Sequence, residues 1–96
     1  MELSELRKKI DRIDEELLAL FLERMQLSGE IAEYKREHGL PVYNAGREQE
    51  ILDWVARESG NMEKYAVPFF KSIFVLSRSR QEQILSDDFL RTNQED

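Results

Sequence analysis

The sequence predicts an all-α fold, and three observations carry that expectation. Apolar residues recur at spacings of three and four along most of the chain, and no stretch alternates as a half-buried strand would. Glycine and proline are scarce, at four and two in 96 residues, and Gly39, Pro41, Gly60 and Pro68 fall where the periodic runs meet. The length allows one small domain, and 41% hydrophobic with 35% charged residues is a globular balance rich in charge. Three helices per chain follow: one very long at the N-terminus, then two shorter ones.

The first helix is expected from about Ser4 to His38. Leu3, Leu6, Ile10, Ile13, Leu17, Leu20, Arg24, Leu27, Ile31 and Tyr34 follow one another as an unbroken heptad seam, widened by Leu18, Phe21 and Met25. Glu2 and Glu5 suit the positive end of the helix dipole. Lys35, Arg36 and His38 suit the negative end, and Gly39 suits the left-handed residue that closes a helix. About 35 residues make a rod of roughly 50 Å. A compact chain of 96 residues has a radius of gyration of only about 12–13 Å. Such a rod projects beyond that body, and a second copy of the chain is the simplest cover for its seam. Helix length alone therefore predicts an intertwined helical homodimer.

The second helix spans about Ala45 to Ser59, with Ile51, Leu52, Trp54 and Val55 as its apolar residues. Asn44 caps its start, and Ser59-Gly60-Asn61 ends it. The third begins between Met62 and Pro68 and runs to about Leu85. Its inner stripe is Ala66, Phe70, Ile73, Ser77, Gln81 and Ile84, with Phe69 and Phe74 beside it. Pro68 is tolerated in a first turn and kinks a helix if it lies deeper. Residues 1–85 are thus expected to form the helical domain, and residues 86–96 (SDDFLRTNQED) a polar tail that frays.

Composition removes several function classes. Twenty acidic against 14 basic residues give a net charge of −6, which argues against a general nucleic-acid or anionic-membrane binder. No cysteine is present, so disulfides, thiolate metal sites and a cysteine nucleophile are excluded. A single histidine, His38, is too little for a histidine metal site or a Ser-His-Asp triad. No apolar run approaches the roughly 20 residues of a membrane span, and the N-terminus lacks the apolar core of a signal peptide. The expected compartment is the cytoplasm, and no metal or cofactor is called for.

The chemistry lies in the exceptions to the pattern. Arg24 is the one charge within the ten-position seam, and a buried guanidinium needs an anion or several acceptors. An inter-helix ion pair, or a stem that packs while the head reaches water, is the plainer use of such a residue. Lys35 stands 11 residues on, within roughly 20° of Arg24 around the axis. It also suits the helix end as a simple cation. Arg7 precedes Arg24 by 17 residues, about 25 Å along the axis and about 100° around it. One straight helix cannot bring both to one small molecule, whereas an antiparallel partner helix could bring its Arg7 to Arg24. Within one chain Arg7 is an i,i+4 partner for Asp11.

Ser77 and Gln81 occupy adjacent turns of the third helix's inner stripe, where two neutral hydrogen-bonding groups are either satisfied internally or aimed at a ligand. Arg47 and Glu48 open the second helix, where Glu48 also complements the dipole. Several cations, an amide, a hydroxyl and a carboxylate thus face inward in an acidic helical protein. That set suits a compact dianion and catalysis by fixed electrostatics. It holds no nucleophile–base pair and no metal cluster.

The run ELRKKIDRIDEELLALFLERMQLSGEIAEYK, then GLPVYNAGREQEIL, then SRSRQ, resembles the all-helical class of chorismate mutases. The likeness covers about Leu3 to Leu85, and LRxxIDxID, the later ER and PVxxxxRExxIL are jointly specific. It implies an intertwined dimer of three-helix chains that rearranges chorismate to prephenate, with no cofactor. It further implies that Arg7 of the partner chain, Arg24 and Arg47 engage the two carboxylates. Lys35 and Gln81 would bond the ether oxygen, Glu48 the ring hydroxyl, and Ser77 would help hold a carboxylate. The position before the second helix, often Asp in such proteins, is Asn44 here. That change is harmless if its backbone N–H is what serves, and bears on hydroxyl binding if a carboxylate is needed.

The rearrangement is intramolecular and moves no proton, so it needs only what the residue set supplies. Lys35 faces the charge growing on the ether oxygen, with Gln81 as second donor, and an amide donates at neutral pH without prior protonation. Two alternatives stand beside this reading. One is an isochorismate–pyruvate lyase of the same fold, against which Ser77 and the Arg47-Glu48 context weigh. The other is a non-catalytic helical dimerisation module, against which Arg24, Ser77 and Gln81 inside the stripes weigh. A shikimate-pathway partner enzyme is a further possibility that the resemblance raises.

Overall fold

The structure, a computed structural model, describes residues 1–94, with side chains described through Asp87. Helix α1 runs from Leu3 to Glu37, α2 from Ala45 to Ser59 and α3 from Glu63 to Gln94, and no strand occurs among the described residues. The all-α expectation holds. The expected count of one long and two shorter helices needs correction, because α2 and the 32-residue α3 are joined without a loop through one 3-10 turn, Gly60–Met62. The chain is one long helix plus one bent helical arm.

Each boundary has a local cause. At the end of α1 the Gly39 N–H bonds the Arg36 carbonyl at 3.3 Å and the Leu40 N–H bonds the Lys35 carbonyl at 2.8 Å. This is the Schellman pattern, and it requires the positive φ of 63° that Gly39 supplies. Asn44 caps α2 by accepting from the Arg47 N–H at 3.0 Å. Gly60, with φ 56°, stops α2 and lets the chain turn back. Pro68 is the sixth residue of α3, beyond the first turn, and the helix continues through it with the Lys64 carbonyl deprived of its backbone donor. The expected end of α3 near Leu85 is corrected as well: Ser86 to Gln94 contains neither glycine nor proline, and the helix runs on to Gln94.

Helix α3 packs against both α1 and α2. The pairs Arg24–Phe74, Ser28–Ser77 and Lys35–Gln81 climb together, so α1 and α3 are parallel. Glu48 meets Arg78, so α2 returns antiparallel to α3. The α1 face that meets α3 is a stripe of small residues, Ser28, Gly29 and Ala32, all buried. At Gly29 a Cβ would come within 2.6 Å of the Ile84 Cδ1, so the missing side chain leaves room for the end of Ile84.

The heptad seam is a different face. Its apolar members Leu3, Leu6, Ile10, Ile13, Leu17, Leu20, Leu27, Ile31 and Tyr34 remain 45 to 63% exposed in the single chain. The buried apolar residues among those described are only Ala32, Val55, Ile73 and Phe74. The radius of gyration is 17.6 Å and the molecule measures 64 × 29 × 15 Å, far from the compact value of about 12–13 Å. Among the described residues no helix is long and apolar enough to cross a membrane.

Candidate functional site

The C-terminal half of α1, the start of α2 and the middle of α3 enclose a cavity of about 400 Å³. Arg24, Lys35, Arg47, Glu48, Ser77 and Gln81 all line it, so six of the seven residues singled out in the sequence meet in one place. Arg7 does not. It lies on the projecting first turns of α1, exposed, and its i,i+4 pair with Asp11 is not formed among the described residues.

Lys35 is held from two sides. Its Nζ donates to the Val42 carbonyl at 2.6 Å and to Gln81 Oε1 at 3.1 Å. An ammonium has three protons, so one remains for the cavity. Burial lowers the Lys35 pKa from its ordinary value, and the nearby Glu48 partly opposes that. Arg24 is also held below its ordinary value, first by burial and then by the neighbouring cation Arg47. No carboxylate among the described residues lies at salt-bridge distance from Arg24; its guanidinium instead sits over the Phe74 ring, 5.8 Å from the centroid. Arg47 pairs with Glu50 at 3.2 Å in an exposed i,i+3 contact that contributes little. Two cations that repel each other across a cavity create a demand for an anion between them.

The neutral groups form a chain. Ser28 Oγ donates to the Arg24 carbonyl at 3.1 Å. Ser77 Oγ and Ser28 Oγ share a hydrogen bond at 2.6 Å in which either hydroxyl can donate. Gln81 Nε2 donates to Ser77 Oγ at 3.4 Å while its Oε1 accepts from Lys35. Gln81 so retains one free N–H towards the cavity. Ser77 can give its proton to an anion when Ser28 is the donor between the two hydroxyls. Asn44 also lines the cavity, with its side-chain oxygen committed to the α2 cap.

Four contributors were not singled out from the sequence. Ser28 is small and polar, one turn after Arg24, and its neighbour across the helix pair was not visible. Arg78 bonds Glu48 through Nη1 to Oε2 and lies 5.1 Å from the Tyr43 ring centroid. Tyr43 and the Val42 carbonyl belong to the α1–α2 loop, where only Pro41 and Gly39 gave a signal. Arg78 stood within SRSRQ, but nothing in the spacing paired it with Glu48.

A second groove, of about 490 Å³ and mainly apolar, runs beside the first and includes Leu17, Leu20, Phe21, Phe70, Ile73 and Leu76. Arg24 borders both.

The family model for chorismate mutase type II matches residues 6–82. The chorismate mutase of Methanocaldococcus jannaschii is 33% identical over 89 residues, which covers 90% of each chain. The bifunctional chorismate mutase/prephenate dehydratase of Aquifex aeolicus is 50% identical over 56 residues, covering 58% of this chain but only 16% of that protein. A solved structure of a conserved hypothetical protein from Pyrococcus furiosus aligns with a TM-score of 0.67 at 32% identity, over 82% of this chain and 93% of the other.

Proposed function

The chain belongs to the chorismate mutase type II family and is an isomerase of that kind; we propose that the cavity between its helices holds chorismate and lets it rearrange to prephenate by orientation and fixed electrostatics alone. The observation that carries this reading is the convergence of Arg24, Lys35 and Arg47, with Glu48 and Gln81, on one cavity in a protein of net charge −6. Three cations against the single carboxylate of Glu48 leave the site net positive, which suits a dianion.

Arg24 and Arg47 take carboxylates of the substrate, and binding relieves their mutual repulsion. Pinning both carboxylates holds the side chain over the ring as a reactive conformer, which supplies orientation. As the ether C–O bond breaks and the new C–C bond forms, negative charge grows on the ether oxygen. The free proton of Lys35 and the free Nε2 proton of Gln81 meet it, and both bonds gain strength as that charge develops. Glu48 accepts the ring hydroxyl. Ser77 contributes its hydroxyl proton to a carboxylate while Ser28 donates to its oxygen. No proton changes owner and no covalent intermediate forms.

The catalytic unit is an intertwined homodimer. Its support is the exposed seam of α1, the thin single-chain core and the apolar groove that ends at Arg24. A second copy laid antiparallel along that seam covers the apolar side chains and brings its own Arg7 towards Arg24. The Aquifex relative carries its mutase segment within a longer polypeptide, so a partner enzyme of the same pathway is a natural associate of this chain. A cytoplasmic location fits that role.

The test is the loss of chorismate absorbance on adding purified protein, with prephenate identified as product. Saturable conversion that falls at least 10²-fold in kcat/KM for Arg24→Ala is expected, since an uncompensated substrate carboxylate loses a charge-assisted bond. A folded protein without conversion refutes the assignment and directs the assay to isochorismate.

A further inference from the structure

Glu48 sits in the first turn of α2, yet the group that holds it comes from α3. Arg78 donates Nη1 to Glu48 Oε2, and both side chains are mostly withdrawn from water, at 28 and 22% exposure. On its other side the Arg78 guanidinium lies over Tyr43, the loop residue just before the α2 cap. One arginine therefore ties α3, the α1–α2 loop and the first turn of α2 together at the cavity wall.

The mechanism above gives this arginine no task. Arg24 and Arg47 hold carboxylates and Lys35 faces the ether oxygen, whereas Arg78 is engaged by Glu48. A carboxylate in a first helical turn is free to rotate about its side-chain bonds, and it then presents its oxygens to water as readily as to a ligand. With Oε2 taken by Arg78, Glu48 has a fixed direction and one oxygen left over. A guanidinium fixed between a ring face and a carboxylate loses little further freedom in doing this.

We propose that Arg78 is a positioning residue for the subsite that receives the ring hydroxyl: it anchors one oxygen of Glu48 so that the other is aimed into the cavity. This rests on the reading that Glu48 accepts that hydroxyl. It makes SRSRQ a segment with three separate duties, Ser77 and Gln81 towards the cavity and Arg78 towards Glu48.

A double-mutant cycle tests it, using steady-state turnover of chorismate by the wild type, Arg78→Met, Glu48→Gln and the double variant, each shown to be folded by circular dichroism. In the wild-type background Arg78→Met lowers kcat/KM about tenfold. In the Glu48→Gln background the same change moves it less than about twofold, because the group it orients is already altered. Arg78→Lys, which keeps the charge but not the planar fork, recovers part of the loss and serves where Arg78→Met does not fold. Equal losses in both backgrounds, or no loss in either, overturn the proposal. A wild type that does not turn over chorismate overturns the reading of the site as well, so the two failures are distinguishable.

Discussion

Replacing Lys35 by alanine tests the electrostatic core of the mechanism. The side chain ends in three protons, of which the Val42 carbonyl and Gln81 Oε1 take two at 2.6 and 3.1 Å. The third is the donor assigned to the ether oxygen. Loss of one preorganised oxyanion donor costs roughly 10²–10³ in kcat, about 2.7–4 kcal/mol. Two local effects bear on the position within that range. Gln81 keeps its own N–H, which limits the loss, but it also loses the Lys35 contact that orients its amide. The expected outcome is a kcat lowered by about 10³-fold with a much smaller change in KM, because Arg24 and Arg47 still hold the carboxylates. Initial rates of chorismate loss across a concentration series measure both constants. A near-normal kcat with a raised KM would reduce Lys35 to a ground-state contact and refute the mechanism. The pH dependence follows from the same residue. Burial lowers the Lys35 pKa, so the ammonium loses its proton below the ordinary lysine value of about 10.4, and kcat/KM falls on that alkaline limb. A bound dianion stabilises the ammonium, so the limb in kcat lies at higher pH. Lys35→Arg keeps its charge and removes the limb.

Ile13→Asp places a charge in the middle of the exposed seam; sedimentation should shift from twice 11.4 kDa towards the single-chain mass, and activity should fall with it. A variant that stays dimeric and active would show that the seam is not the interface. Phe74→Leu keeps an apolar group at a buried position and removes the ring beneath Arg24, with an expected loss of about 1 kcal/mol in denaturant unfolding. Its KM should rise because Arg24 loses its support, and an unchanged KM would make that contact incidental.

The heptad seam was legible because its spacing is a property of α1 alone, and the same holds for the Gly39 and Asn44 boundaries. The face of α1 that packs on α3 was not legible. Ser28, Gly29 and Ala32 carry no hydrophobic signal, and the room that Gly29 leaves for Ile84 is read from what a small residue omits rather than from what it brings. Neither was the length of α3: a polar run without glycine or proline extends a helix as readily as it frays. In the site, Arg24, Ser77 and Gln81 stood out because each is polar where its stripe is apolar. Arg78 broke no pattern on its own helix. Its meaning comes from Glu48, 30 residues earlier, and depends on the antiparallel return of α2 that only the folded chain shows.

One consequence of the two faces of α1 concerns how assembly and catalysis are linked. Arg24 belongs to the seam by spacing, yet it lines both the polar cavity and the apolar groove beside it. A side chain on that boundary is drained of water from two directions. Residues of its own chain do part of this, since burial already lowers its pKa in the single chain. In the proposed dimer a second α1 would cover the groove and dry the other side, and a cation in a drier site attracts a carboxylate more strongly. In the proposed dimer, pairing of the chains would do more than deliver Arg7: it would strengthen the grip of an arginine each chain already owns. An isolated chain should accordingly bind substrate more weakly than the loss of Arg7 alone accounts for.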